Sequence, residues 1–361
     1  MAGVGAANVR ADSKTRGPVK EMPVPPREEL VRIRTIDAHA EGEPLRVIVD
    51  GFPQPRGETV LERRRDARDR FDDLRTALMW EPRGHADMYG CLLMPPVTPD
   101  ADFAVLFLHN EGFSTMCGHG IIAVTAVAVE TGIVAGSDDR VAVTIDTPAG
   151  VVRAEATLED GRVREVRFRN VPSFAVALDA SVEVTGLGRV PYDLAFGGAF
   201  YAYVSADELG WELVPERASG LLEAGRAIKE AVSAQRTPEH TEAEELGFLY
   251  GTIFTGRAHA SDRHSRHVCV FADGELDRSP TGTGVSGRLA ILHARGLLAP
   301  HEPIEIESII GSRFRGTIVD LTRIGDVEAV VPEVGGRAFL TGRHEFWLDP
   351  RDPWREGFLL R

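Results

Sequence analysis

The sequence contains no apolar run of 18 or more residues, which excludes a membrane-spanning helix. Cysteine is scarce: Cys91, Cys117 and Cys269 stand far apart with no Cys-x-x-Cys pair. That excludes a disulfide framework or a thiolate zinc site and suits a reducing cytoplasm. Basic residues are outnumbered, 41 Lys and Arg against 55 Asp and Glu for a net charge of −14, so a nucleic-acid partner is not expected. Residues 1–30 lack the apolar stretch of a signal peptide and are rich in Gly, Pro and charge; they read as a disordered tail. What remains is ordinary globular material. The 361 residues are 43% hydrophobic and 27% charged, enough for two domains or one large one.

Folded sequence begins at Val31–Ile36, which alternates apolar and polar residues like a half-buried strand. Leu45–Val49 continues in that style, and Glu62–Met79 reads as a surface helix. Strands are expected at Cys91–Met94, Phe103–Leu108, Val141–Ile145, Val163–Phe168, Ala199–Val204, Phe248–Phe254 and Val268–Phe271, with a helix near Ala218–Ser233.

An internal repeat organises the rest. MCGHGIIAVTAVAVETGIV from Met116 aligns without gaps on PTGTGVSGRLAILHARGLL from Pro280. Cys117 falls on Thr281, Gly118 on Gly282, Gly120 on Gly284 and Gly132 on Gly296. Each copy predicts a Gly-x-Gly turn opening a buried helix that a C-terminal glycine ends. Two such helices, related by a pseudo-two-fold axis, would present their unpaired N-terminal N–H groups to one cleft. An anion would sit well there.

A thiol at a helix start has its thiolate favoured by the dipole and nearby N–H groups, which marks Cys117 as a candidate base. Cys91 and Cys269 lie in apolar strands and read as structural. A cysteine-protease arrangement fits poorly, because His119 is only two positions from the sulfur. Proton abstraction from an amino-acid Cα fits better, with the substrate carboxylate on the helix N-termini and the Cα between residues 117 and 281. Such chemistry needs no metal or cofactor. His259, His264 and His267 match no zinc spacing, and Gly-Thr-Gly at 282–284 lacks the rest of a dinucleotide fingerprint.

The segments Asp37-Ala-His-Ala-Glu-Gly-Glu-Pro, Glu81-Pro-Arg-Gly-His-Ala-Asp-Met, Met116-Cys-Gly-His-Gly and Asp277-Arg-Ser-Pro-Thr-Gly-Thr-Gly, with the ending Asp349–Leu360, resemble the proline racemase family over residues 31–361. The resemblance implies an α/β (α+β) fold of the diaminopimelate epimerase-like type, in which each half is a mostly antiparallel sheet wrapped around a central helix. The halves would run 31–190 and 191–341, with 342–361 packing back on the first. It also implies that Gly118, His119, Gly282 and Thr283 hold the substrate carboxylate and that Asp277 holds the ring nitrogen. His85, His39 and Glu43 are further candidates for the cleft. A homodimer is compatible with this reading.

Racemases of the family carry a cysteine at both helix starts; here the second is Thr281. A thiol ionises near pH 8.5 whereas an alcohol is about as weak an acid as water, so replacing one by the other as base costs on the order of 9 kcal/mol. Two-base racemisation is therefore not expected. One-sided deprotonation by Cys117 becomes productive if the carbanion expels a leaving group from Cβ. The resemblance then implies dehydration of trans-3-hydroxy-L-proline to Δ1-pyrroline-2-carboxylate. The alternatives are a hydroxyproline epimerase or proline racemase, and a non-catalytic amino-acid binding protein.

Overall fold

The computed structural model describes residues 29–136, 139–240 and 244–360. The expected tail, apart from residues 29 and 30, lies outside them. No helix among the described residues is long and apolar enough to cross a membrane.

The first set of strands comprises β1 (Val31–Ala40), β2 (Glu43–Asp50), β3 (Tyr89–Met94), β4 (Phe103–His109), β5 (Phe113–Ser114), β6 (Arg140–Thr147), β7 (Gly150–Glu159) and β8 (Arg162–Arg169). The second comprises β9 (Phe174–Val184), β10 (Gly188–Phe196), β11 (Phe200–Ser205), β12 (Leu249–Gly256), β13 (Ser265–Phe271), β14 (Glu275–Leu276), β15 (Ile304–Glu307), β16 (Arg313–Ile324), β17 (Val327–Gly336) and β18 (Ala338–Leu348). The helices are α1 (Val60–Arg70), α2 (Asp72–Met79), α3 (Gly118–Glu130), α4 (Ala218–Gln235) and α5 (Gly282–Ala294).

The two sets pair in the same way. β2 runs parallel to β3, β3 antiparallel to β4, and β4 parallel to β6, with Phe103 opposite Ile145. Correspondingly β11 is parallel to β12, β12 antiparallel to β13, and β13 parallel to β15, with Ser265 opposite Ile306. β8 and β17 close the figure as an antiparallel pair, Phe168 opposite Val334. One outer strand crosses over: β9 forms a hairpin with its neighbour β10, whereas β18 returns to pair with β1 along Val31–Ala40. The strand pairing thus groups β9 with the second sheet and all of β18, from Ala338, with the first.

Each repeated segment forms a central helix. α3 is apolar on every side, so its residues from Gly118 to Ala128 are buried within the curl of the first sheet. α5 is buried in the same manner from Gly282 to Leu292, with only Arg288 partly exposed. Gly132 (φ 75°) and Gly296 (φ 68°) take the left-handed conformation that ends each helix; their N–H groups bond the Val129 and His293 carbonyls.

The single surface helix expected over 62–79 is two helices. Phe71 leaves helical angles (φ −134°, ψ 21°), and its ring packs edge-on against Phe52 at 6.0 Å. α2 is no surface helix: Thr76–Met79 are buried, as is Arg75, whose guanidinium bonds the carbonyls of His109 and Asn110. On the second half α4 is amphipathic and buries Leu221, Ala224, Gly225, Ile228 and Val232.

Candidate active site

The helices α3 and α5 meet at their N-termini. A Cβ built on Gly118 would lie 2.5 Å from the Gly282 Cα, closer than non-bonded atoms approach. Glycine is required at both positions because backbone faces backbone. Around this contact lies a cavity of about 20 Å³ lined by Tyr89, Met116, Cys117, Gly118, His119, Tyr201, Tyr250, Phe271, Asp277, Thr281, Gly282 and Thr283. That volume holds about one water, less than a ring-sized molecule needs.

The two helix starts are not equivalent. Cys117 occupies the N-cap of α3, and its Sγ accepts the Gly120 N–H at 3.2 Å. His119 Nδ1 lies 3.3 Å from the sulfur. Thr281 occupies the N-cap of α5 at φ 66°, ψ 100°, a left-handed setting that a β-branched residue rarely adopts. Its hydroxyl caps nothing. Oγ1 instead donates to Asp277 Oδ2 at 2.7 Å, while its N–H bonds Ser279 Oγ at 3.1 Å. Asp277 Oδ1 accepts the Ser279 N–H at 2.7 Å, so the carboxylate is locked in the loop before α5. Extended one turn upstream, the internal alignment places Phe113 at the Asp277 position. Only one side of the cavity therefore carries a carboxylate.

The electrostatics correct the expectation for the thiol. Burial pushes the Cys117 thiol well above its ordinary range; the Gly120 N–H opposes this, but the Asp277 and Glu43 charges add to it. The resting sulfur is a thiol, because desolvation outweighs the helix-terminus effect on which the sequence argument relied. His119 is pushed down to about 4 by burial and is a neutral imidazole, seated edge-on against Tyr89 with ring centroids 4.7 Å apart.

All the sequence-derived candidates line this cavity except His85, His39 and Glu43. His85 is exposed, its Nδ1 bonds the adjacent Ala86 carbonyl at 2.7 Å, and it does not line the cavity. His39 Nδ1 accepts the Gly42 N–H at 3.2 Å. Glu43 is fully buried just behind the cavity and its Oε2 accepts the Arg278 N–H at 2.7 Å. Burial, then repulsion from Asp277, holds its carboxyl well above the usual carboxylate range. The sequence reading missed the aromatic wall of Tyr89, Tyr201, Tyr250 and Phe271. Tyr201 and Tyr250 lie in strand segments that were recognised, but a strand pattern alone does not say which face meets the cleft.

Among the described residues one group could share an ion: ligand atoms of His109, Glu111 and Glu275 lie within 4.8 Å of one another. His109 Nδ1 already bonds Glu275 Oε1 at 3.0 Å, joining the two halves beneath the aromatic wall. The histidines of the 258–267 segment are not brought into such a group.

Paired helix N-termini around a buried thiol, with a carboxylate on one side, define an enzyme that handles the Cα of an amino acid. The proline racemase family model matches residues 35–359, and the chain belongs to that family. It is 47% identical over 334 residues to the trans-3-hydroxy-L-proline dehydratase of Colwellia psychrerythraea, covering 92% of this chain and 94% of that one. The human trans-3-hydroxy-L-proline dehydratase is 44% identical over 336 residues, covering 91% and 95%. The structure of a hydroxyproline epimerase from Agrobacterium vitis with bound trans-4-hydroxy-L-proline superposes with a TM-score of 0.86 at 33% identity, covering 91% of this chain and 96% of that one.

Proposed function

We propose that this protein is a hydro-lyase that converts trans-3-hydroxy-L-proline to Δ1-pyrroline-2-carboxylate. The observation that carries this reading is the pairing of one thiol, Cys117, with an alcohol, Thr281, whose proton is committed to Asp277. An alcohol so engaged has neither the acidity nor the freedom to serve as a second base. The dehydratase names of the relatives above point the same way.

In the proposed reaction the substrate carboxylate lies on the first-turn N–H groups of Gly118, His119, Gly282 and Thr283, which no helical carbonyl can satisfy. The secondary ammonium sits at Asp277. Its positive charge offsets one of the charges that hold the proton on Cys117, so binding itself favours the thiolate. Cys117 then removes the α-proton, and negative charge developing on the carboxylate is stabilised by the helix termini. In the trans isomer the 3-hydroxyl shares a ring face with the α-hydrogen. The C3–O bond breaks toward Cys117, whose new thiol proton completes water. The enamine left behind tautomerises to the imine. Thr281 packs against the opposite face.

Purified protein incubated in deuterated water with trans-3-hydroxy-L-proline, trans-4-hydroxy-L-proline and L-proline tests this. Imine from the first alone is expected. A deuterated epimer of the second would replace the reading with an epimerase, and unlabelled, unconverted substrates would leave a binding protein.

A further inference from the structure

Buried hydroxyls in folded proteins nearly always have a partner, because an unmatched one costs about 1–3 kcal/mol. The tyrosines of this cavity obey the rule with one exception. Tyr89 bonds Ser114 Oγ at 2.5 Å, and Tyr201 bonds Thr283 Oγ1 at 2.8 Å. The buried Tyr250 hydroxyl makes no hydrogen bond of good distance and angle among the described residues; its polar neighbour is the Tyr89 hydroxyl, already bonded to Ser114, and the ring lines the cavity. Its ring is fixed by Phe271 at 5.6 Å, Tyr201 at 5.9 Å and His109 at 6.2 Å, so the hydroxyl is held rather than free to seek a partner.

Tyr250 reaches the thiol side of the cavity. It and Tyr89 lie close enough to Cys117 for a charge on the sulfur to act on them; Tyr250 is also near Cys269 of β13, and Tyr201 is tied to Thr283 on α5. In a trans-3-hydroxy substrate whose α-hydrogen faces Cys117, the 3-hydroxyl is on that same side.

We propose that the Tyr250 hydroxyl donates a hydrogen bond to the substrate's 3-oxygen and stabilises it as the C3–O bond breaks. The proposal rests on the dehydration reading above and names the group that recognises the leaving oxygen. The electron pair of the Cα–H bond becomes the Cα=C3 double bond, the C3–O pair departs with oxygen, and the proton that makes water comes from the Cys117 thiol. Tyr250 keeps its own proton throughout; burial and the neighbouring Glu275 both favour the neutral phenol. A donor waiting unpaired costs stability in the empty enzyme and returns it only when a 3-oxygen arrives.

The test is Tyr250→Phe in the full chain. The expected result is a fall in kcat for imine formation of roughly ten- to a hundredfold, the range of a lost hydrogen bond to developing charge. Inhibition by L-proline, which has no 3-oxygen, should keep its parent constant, and Tm should stay level or rise. An unchanged kcat would overturn the proposal. So would an equal weakening of L-proline binding, which would mark Tyr250 as structural support for the cavity. Failure of the parent protein itself to release imine would sink the dehydration reading first, and the role of Tyr250 with it.

Discussion

Gly118 and Gly282 touch across the centre of the molecule: a Cβ on either would fall within 2.7 Å of the other's Cα. The repeat therefore does more than duplicate a helix. It brings two sets of unpaired N–H groups to one point with no side chain between them. Replacing either glycine by alanine should wedge the helix starts apart, destabilising the fold by on the order of 1–3 kcal/mol. Turnover should fall roughly a hundredfold through misplacement of the carboxylate cradle. Thermal melting and steady-state kinetics of both variants would check this; undiminished activity in either would mean the carboxylate binds elsewhere.

Thr281→Cys restores a thiol to the face opposite Cys117. The variant also loses the γ-methyl from a strained φ of 66°. It should form some epimer of hydroxyproline, because each face of the Cα then meets a group able to exchange a proton. Chiral chromatography after incubation in deuterated water would detect it. Absence of epimer from a folded variant would count against the two-faced cavity.

Burial holds Cys117 protonated in the resting enzyme, so the thiolate is the minor form at neutral pH. The value of kcat/KM for free enzyme should then climb with pH above 7, approaching tenfold per unit, until the thiol ionises or the substrate ammonium is lost. A flat profile across pH 7–9 would show that the thiolate is already formed.

His119 sets an acid limit. Its folded-state value is pushed down to about 4 from an ordinary 6.5, so the folded protein refuses a proton that the unfolded chain accepts. That contribution is intact above pH 6.5 and is lost as pH falls toward 4. The linked cost is about 3 kcal/mol. Urea titrations at pH 7 and pH 5 would show it, and His119→Asn should shrink the difference between them.

Legibility in the sequence followed burial. β4 and β13 are buried along their whole lengths; β4 reads as an apolar run from Phe103 to Leu108, while in β13 only Val268–Phe271 does, the buried Ser265, Arg266 and His267 hiding its start. β9 and β18, at the sheet edges, alternate weakly and went unseen. The break at Phe71 was hidden because α1 and α2 share one helical vocabulary and only a tertiary contact with Phe52 separates them. In the site, residues adjacent to the Gly-x-Gly motifs were found because the motif itself fixes their position. Tyr89, Tyr201 and Tyr250 were not, since each comes from a different strand and only the curl of the sheets brings them together. Cys117 was identified, but its protonation depends on enclosure by both halves, which no local motif encodes.

β18 gives the first sheet an outer strand from the far end of the chain, paired along the whole of β1. Cutting the polypeptide between β8 and β9 would leave β18 on the piece that lacks its partner β1, and removing residues from Ala338 onward would bare the β1 edge rather than trim a loose end. Opening of the cleft must accordingly be a flexing of one interlaced body. The halves cannot drift apart as beads on a string, which keeps the sulfur and the locked aspartate in register each time the cavity closes.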